Sequence, residues 1–364
     1  MNFASFRSLQ RHISWISQSV LFIFLISGVL YLFFPDQHYN PSGWGVLVKY
    51  VLYLVLLGFL AIYIATNGIF SIKSILIGLA WVVAVLIGVM AGAELERALL
   101  YLIPIAALLA PPSFQARAGR LALPILLLTA VGAVYEYFIL GGFARFHPTS
   151  YRGVSIFINP NNLGIAATVL TAYVISVYRG PVRWLSLALC ATLVMYSGSK
   201  TGMAILVALV VLLVAKDNLL RMVVFGLPIL AAAAGLVALG IVAVPLASTW
   251  DRIRQYTEFL TNVDNVVFPF LDGRGYYADN AFIQIWIELG LPAVAVYAGA
   301  LTFCSFRERL RSPLWAIFAL ASLTTNIPYL FPLAYMFWFH VGTLTRQAET
   351  ALPGGLSARN ACAR

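Results

Sequence analysis

The chain has 364 residues, 62% of them hydrophobic and 10% charged. A soluble globule is roughly half apolar and a quarter charged, so the composition excludes one and predicts an integral membrane protein. Lys and Arg outnumber Asp and Glu by 23 to 13, a net +10; in such a chain basic side chains serve first to set orientation, and nucleic acid is not an expected partner.

At about 20 residues per spanning helix there is room for roughly ten to twelve spans and none for a soluble domain. Near the N-terminus, Arg7 and Arg11 precede an apolar run from about Ser19 to Phe34. No small-x-small cleavage pattern follows between Pro35 and Pro41, so the run is expected to remain as a first helix. Apolar runs punctuated by polar, Pro or Gly residues predict an all-α polytopic protein with spans at 17–34, 46–66, 74–92, 98–112, 121–141, 161–178, 184–197, 201–215, 221–246, 281–303, 313–327 and 329–345. The expected organisation is one transmembrane domain over 1–346, followed by a disordered cytoplasmic tail over 347–364 that contains Pro353-Gly354-Gly355. There is no internal repeat.

Alternating the spans from a cytoplasmic N-terminus puts 15 of the 23 basic residues on the inner side and 8 on the outer, with both termini inside. Two outer connections are long, about 142–160 and 247–280, and carry Arg145, Arg152, Arg252, Arg254 and Arg274. Arg252 and Arg254 alternate with Asp251 and Glu258 on a short amphipathic helix from Trp250 to Leu260, which by itself explains them as solubilising charge; Arg254 also counts among the candidate substrate contacts. Arg152 and Arg274 are flanked by glycine (Arg152-Gly153; Gly273-Arg274-Gly275) just before helix starts. There backbone can approach a ligand closely, and a guanidinium can grip phosphate oxygens with two parallel bonds.

Three segments of the outer rim could carry chemistry. The first is Tyr151-Arg152-Gly153-Val154-Ser155-Ile156-Phe157-Ile158-Asn159-Pro160-Asn161-Asn162-Leu163-Gly164. Asn159 as N-cap and Pro160 as first helical residue account for part of it; Arg152 and Asn161 beside a helix N-terminus also suit an anion. The second, Tyr196-Ser197-Gly198-Ser199-Lys200-Thr201, suits a tight turn, with Lys200 either reaching to the interface or contacting a phosphate. In the third, Gly273-Arg274-Gly275-Tyr276-Tyr277-Ala278-Asp279-Asn280, either Asp279 or Asn280 suits an N-cap. A carboxylate there could also accept a proton from an attacking hydroxyl.

Glu136 and Glu288 fall inside spans, where carboxylates face a partner or a cavity. Glu288 lies nine residues past Asp279, about 13 Å deeper at 1.5 Å per residue, and is expected to pair with a buried polar group. Glu136, nearer the rim, could orient an Arg. Cys190, Cys304 and Cys362 show no ligand spacing, and His12, His38, His147 and His340 do not cluster, so no metal site and no disulfide is expected; His147, beside Arg145, is the one histidine near the rim segments. No phosphate-binding loop or nucleophile elbow is present.

The three segments, in order, resemble the O-antigen ligase and Wzy-type polymerase superfamily of bacterial inner-membrane glycan transferases. Arg152 to Leu163 is similar to its R-x-G-x-x-x-N-P-N-x-L helix start, and Ser197 to Thr201 to its S-x-S-R-T turn with Lys200 in place of Arg. Asn280, nine further residues and Gly290 follow the ligase block, but Asp279 stands where the ligase has histidine, as in polymerases carrying "DN" here. The resemblance covers about residues 145 to 300.

It implies a GT-C-like glycosyltransferase with a long periplasmic loop containing short helices. Its donor would be a glycan on undecaprenyl diphosphate, with no metal or other cofactor. Arg152 and Arg274 would hold the diphosphate and Asp279 would accept the acceptor's proton. Asn280, Asn159, Asn161, Lys200, Arg145, Arg254 and Tyr277 would contact substrate. Expected partners are the acceptor glycan, membrane lipids, a chain-length regulator and a flippase. A polymerase is favoured over a ligase that transfers to lipid A core. A transporter would instead carry midplane charge, paired broken helices and an inverted repeat; a scaffold is the remaining reading.

Overall fold

The computed structural model describes residues 71–109, 112–141, 152–157, 160–215, 280–302, 313–323 and 333–350, with scattered positions among 51–58 and 254–269 and at 228, 325 and 327. The described residues form helices and turns without a strand. In chain order the helices are α1 (Ile72–Ala91), α2 (Leu95–Leu102) running into a 3-10 turn (Ile103–Leu109), α3 (Pro112–Phe138), α4 (Pro160–Val177), α5 (Pro181–Ser197), α6 (Lys200–Ala215), α7 (Ala281–Leu289), α8 (Leu291–Thr302), α9 (Pro313–Ser322) and α10 (Leu333–Thr350). Among the described residues, three stretches are long and apolar enough to cross a membrane: Ile72–Ala91, Arg120–Phe138 and Pro160–Val177. The expected span 17–34 lies outside the described residues, as do all but a few positions of 46–66 and 221–246.

Local chemistry sets the helix ends. The Ser71 hydroxyl accepts from the Ser74 N–H at 3.1 Å and starts α1. Pro160, Pro181 and Pro313 occupy first helical positions, where their missing N–H has no partner to lose. Polar side chains inside the helices turn back on their own backbone, Thr129 onto the Ile125 carbonyl (2.8 Å) and Thr168 onto that of Gly164 (2.9 Å).

Packing forms two groups. One joins α3, α4, α5 and α6; the other joins α1, α2, the 3-10 turn, α7, α8 and α10; α9 packs against α4, α6 and α10. One continuous buried apolar core runs through both. In the second group Trp81, Tyr101, Tyr297, Phe337 and Trp338 pack ring against ring, with centroids 4.9 to 6.4 Å apart. In the first, a Cβ on Gly202 would stand 2.9 Å from the Gly164 Cα, so only glycine lets α6 approach α4 this closely. Large apolar side chains such as Leu76, Leu79, Met90, Val131 and Trp184 point outward, the reverse of a helix bundle in water and the pattern of one in lipid.

The structure corrects three expectations. The run 281–303 is not one helix: it breaks at Gly290, whose φ of 88° ends α7, and Pro292 sits where a new helix starts. The Leu291 N–H freed by the break donates to the Val267 carbonyl (2.9 Å), the Trp286 indole N–H donates to the Val266 carbonyl (2.7 Å), and the Phe268 ring covers Gly290. The run 98–112 changes to a 3-10 turn at Ile103, where Pro104 has no N–H for the α-helical pattern. The tail boundary moves as well, since α10 continues to Thr350.

Glu288, just before the first break, meets α2, just before the second. Its carboxylate accepts from Arg97 (3.0 Å), the Tyr101 hydroxyl (2.5 Å) and the Gln284 amide (2.7 Å). Arg97 also bonds Glu94 at 2.8 Å. This is the polar pairing expected for Glu288. Replacing Glu288 with Ala strips three donors of a shared acceptor and is expected to lower unfolding stability by about 1–3 kcal/mol. Glu288→Gln, keeping one oxygen, is expected to lose less; thermal unfolding of the detergent-solubilised protein checks the ranking.

Candidate functional site

Side-chain and backbone bonds bring two of the three rim segments into direct contact. Helix α5 ends at Gly198, which adopts the left-handed conformation (φ 56°), and its last carbonyls need donors from elsewhere. The segment 152–157 supplies them. The Gly153 N–H donates to the Tyr196 carbonyl (3.0 Å), and Arg152 Nε donates to the Ser197 carbonyl (3.1 Å). A cation at the negative end of a helix dipole is favourable in its own right. Arg152 Nη2 also donates to Asn161 Oδ1 at 2.7 Å, so one guanidinium ties the start of α4 to the end of α5.

The same segment is held from below by α3. Glu136 is wholly buried, and its carboxylate accepts from the Val154 N–H (3.0 and 3.2 Å to its two oxygens), the Ser155 N–H (2.6 Å) and the Tyr196 hydroxyl (2.9 Å). Ser155 has φ 49°, unusual for a residue with a Cβ and worth about 1–3 kcal/mol of strain. Its hydroxyl donates to the Thr129 carbonyl at 2.6 Å. Sequence reasoning placed Glu136 near this rim as a possible partner for an arginine; these bonds show it acting on backbone and on Tyr196.

The turn between α5 and α6 is built as its small hydroxyl residues suggested. Ser199 N–H donates to the Ser197 hydroxyl (3.1 Å), and the Ser199 hydroxyl accepts from the Gly202 N–H (3.0 Å), capping α6. Lys200, first in that helix, is exposed. Arg254 is also exposed and pairs with Glu258 one helical turn on, at 3.7 Å, which fits the solubilising account.

In the third segment Asn280 is the N-cap. Its side-chain oxygen accepts from the Phe282 and Ile283 N–H groups (2.9 and 3.1 Å), and its amide donates to the Leu323 carbonyl at 3.0 Å. This links the start of α7 to the residue that follows α9, and α9 packs against α6. The first two rim segments are therefore bonded directly, and the third is tied to the residue that follows α9, a helix that packs against both α4 and α6. Elsewhere, Ser74 shares a hydrogen bond with Thr345 (2.7 Å) and the Trp315 indole reaches the Leu301 carbonyl (2.8 Å).

Arg274, Asp279, Asn159, Arg145, Tyr277 and His147 lie outside the described residues. Among the described residues no three His, Cys, Asp or Glu side chains group to hold a metal. Sequence reasoning missed Tyr196 and Ser155 as parts of this site; an ordinary tyrosine at a helix end and a serine in a loop gave no signal of a shared buried carboxylate. No protein-family model and no curated protein matches the chain.

Replacing Asn280 with Ala removes a cap and a tie to Leu323 and is expected to cost about 1–2 kcal/mol. Asn280→Asp keeps the cap acceptor and loses only the tie. Hydrogen exchange at the Phe282 and Ile283 amides should accelerate in the first variant and stay near wild type in the second.

Proposed function

We propose that the chain is a GT-C-like membrane glycosyltransferase with about twelve spans, both termini in the cytoplasm of a bacterium and its reaction end at the periplasmic face. It extends undecaprenyl-diphosphate-linked oligosaccharide repeat units into O-antigen, capsule or exopolysaccharide. The observation that supports the reading most is the Arg152 tie: the cation marked out for phosphate recognition is fixed where the first two motif segments meet.

In this reaction the anomeric carbon bonds to the acceptor hydroxyl oxygen as its bond to the diphosphate oxygen breaks. The electron pair leaves on polyprenyl diphosphate, whose growing charge Arg152 and Arg274 stabilise. The acceptor's proton passes to Asp279. Asn280 serves by fixing the helix mouth next to that carboxylate, since its own amide is engaged in the cap and the Leu323 bond. Asp279 at the position where a ligase has histidine favours a lipid-linked acceptor over lipid A core.

One observation favours a second reading. Two interrupted helices, broken at Ile103 and Gly290, meet through Glu288, Arg97 and Tyr101, and paired breaks with charge between them are a transporter device. Reconstitution with a synthetic lipid diphosphate oligosaccharide separates the readings. Products growing by repeat units support the polymerase, transfer to lipid A core the ligase, and a change of leaflet without new bonds the transporter. Arg152→Ala and Arg274→Ala are each expected to reduce extension at least about a hundredfold, with normal folded yield as the control. Polysaccharide chain length that stays normal in a deletion strain carrying either variant would reject these roles.

A further inference from the structure

We infer that Glu136 is a positioning residue: its carboxylate sets the backbone of residues 153–155 and the end of α5 together, and so fixes the place of Arg152. The inference rests on the glycosyltransferase reading only for what Arg152 then does.

The geometry carries it. Glu136 sits on α3, whereas Arg152 lies in the connection before α4 and its acceptors lie on α4 (Asn161) and α5 (Ser197). One carboxylate reaches both sides of that contact. It takes the consecutive N–H groups of Val154 and Ser155, two and three residues after Arg152, and the phenol of Tyr196, the residue before Ser197. Two successive backbone N–H groups converge on one anion when the chain turns into a left-handed conformation, as Ser155 does. Between these anchors the Gly153 N–H is bonded to the Tyr196 carbonyl, so Arg152 projects from a segment fixed at each of its next three residues. In every one of these contacts the Glu136 oxygens accept, which suits an ionised carboxylate, because a protonated acid must donate one bond. A glutamine of the same size keeps one acceptor oxygen but turns its NH2 toward the Val154 N–H and gives up the charge that strengthens the remaining bonds.

A plain structural anchor would stabilise the fold independently of Arg152. A positioning residue acts through it, and a double-mutant cycle tells them apart. Glu136→Gln is expected to lower kcat for extension of the lipid diphosphate glycan by about tenfold or more, with KM within about threefold. Added to Arg152→Ala it should cause no further loss beyond about threefold. Losses that multiply in the double variant, or an unchanged kcat in Glu136→Gln, overturn the inference.

A second readout needs no substrate. Val154 and Ser155 amides should exchange at least about tenfold faster in Glu136→Gln while those of α4 and α5 stay as in wild type. If wild-type protein fails to extend the glycan yet these amides loosen in the variant, the glycosyltransferase reading falls and the positioning stands. If the amides are unchanged, the positioning falls whatever the activity.

Discussion

A carboxylate shut between helices whose outer faces are apolar must find its donors within the protein, and at Glu136 they include two main-chain N–H groups. Side-chain partners would have left the 152–157 segment to choose its own path. Main-chain partners specify the path, including a left-handed serine that would otherwise relax. Adding the Tyr196 phenol extends that control to α5, so two helices and one connection are registered against a single buried group. The two net-favourable bonds to backbone, each worth about 0.5–1.5 kcal/mol and more when one partner is charged, are enough to offset the strain at Ser155.

Glu288 solves the same problem with different partners and a different result. Arg97, Tyr101 and Gln284 are side chains, so the bond set fastens two helices to each other without dictating backbone. Both helices stop soon afterwards, at Leu102 and Leu289. The break at Gly290 leaves an N–H in apolar surroundings, and the Val267 carbonyl meets it by bringing part of the long 247–280 connection back alongside α7 and α8. That connection is thus no free rim loop along its whole length.

The outline of the described helices was legible because hydropathy and punctuation agree at their ends: Ser71, Pro160, Pro181 and Gly198 fall where the apolar runs predict a boundary. The break within 281–303 was not, although Gly290 and Pro292 were in plain view. An uninterrupted apolar run outweighs two residues unless the acceptor for Leu291 is known, and that acceptor lies 24 positions earlier in the chain. The polar partnership of Glu288 was legible in kind, since burial demands it. The task of Glu136 was not, because backbone N–H groups are the same in every residue and carry no sequence signal. At the site, the resemblance grouped Arg152 with Lys200 of the Ser197 turn as contacts of one substrate. Nothing in the sequence indicated that the guanidinium bonds that turn's carbonyl.

The bonds of Arg152 bear on the phosphate role proposed for it. An arginine on a mobile loop must be ordered when charge develops, and ordering a long side chain costs on the order of 2 kcal/mol. Here the side chain is already bonded at Nε and Nη2, to acceptors that belong to two helices. The ordering is met during folding, so under that proposal an anion would meet a guanidinium whose plane is already set. Electrostatic stabilisation is most effective when the dipoles and charges need no rearrangement at the moment of reaction. The structural bonds of Arg152 therefore do not compete with a role toward phosphate; they are the means by which a long, flexible side chain becomes a fixed one, and the Glu136 anchor beneath them is what keeps both acceptors in register.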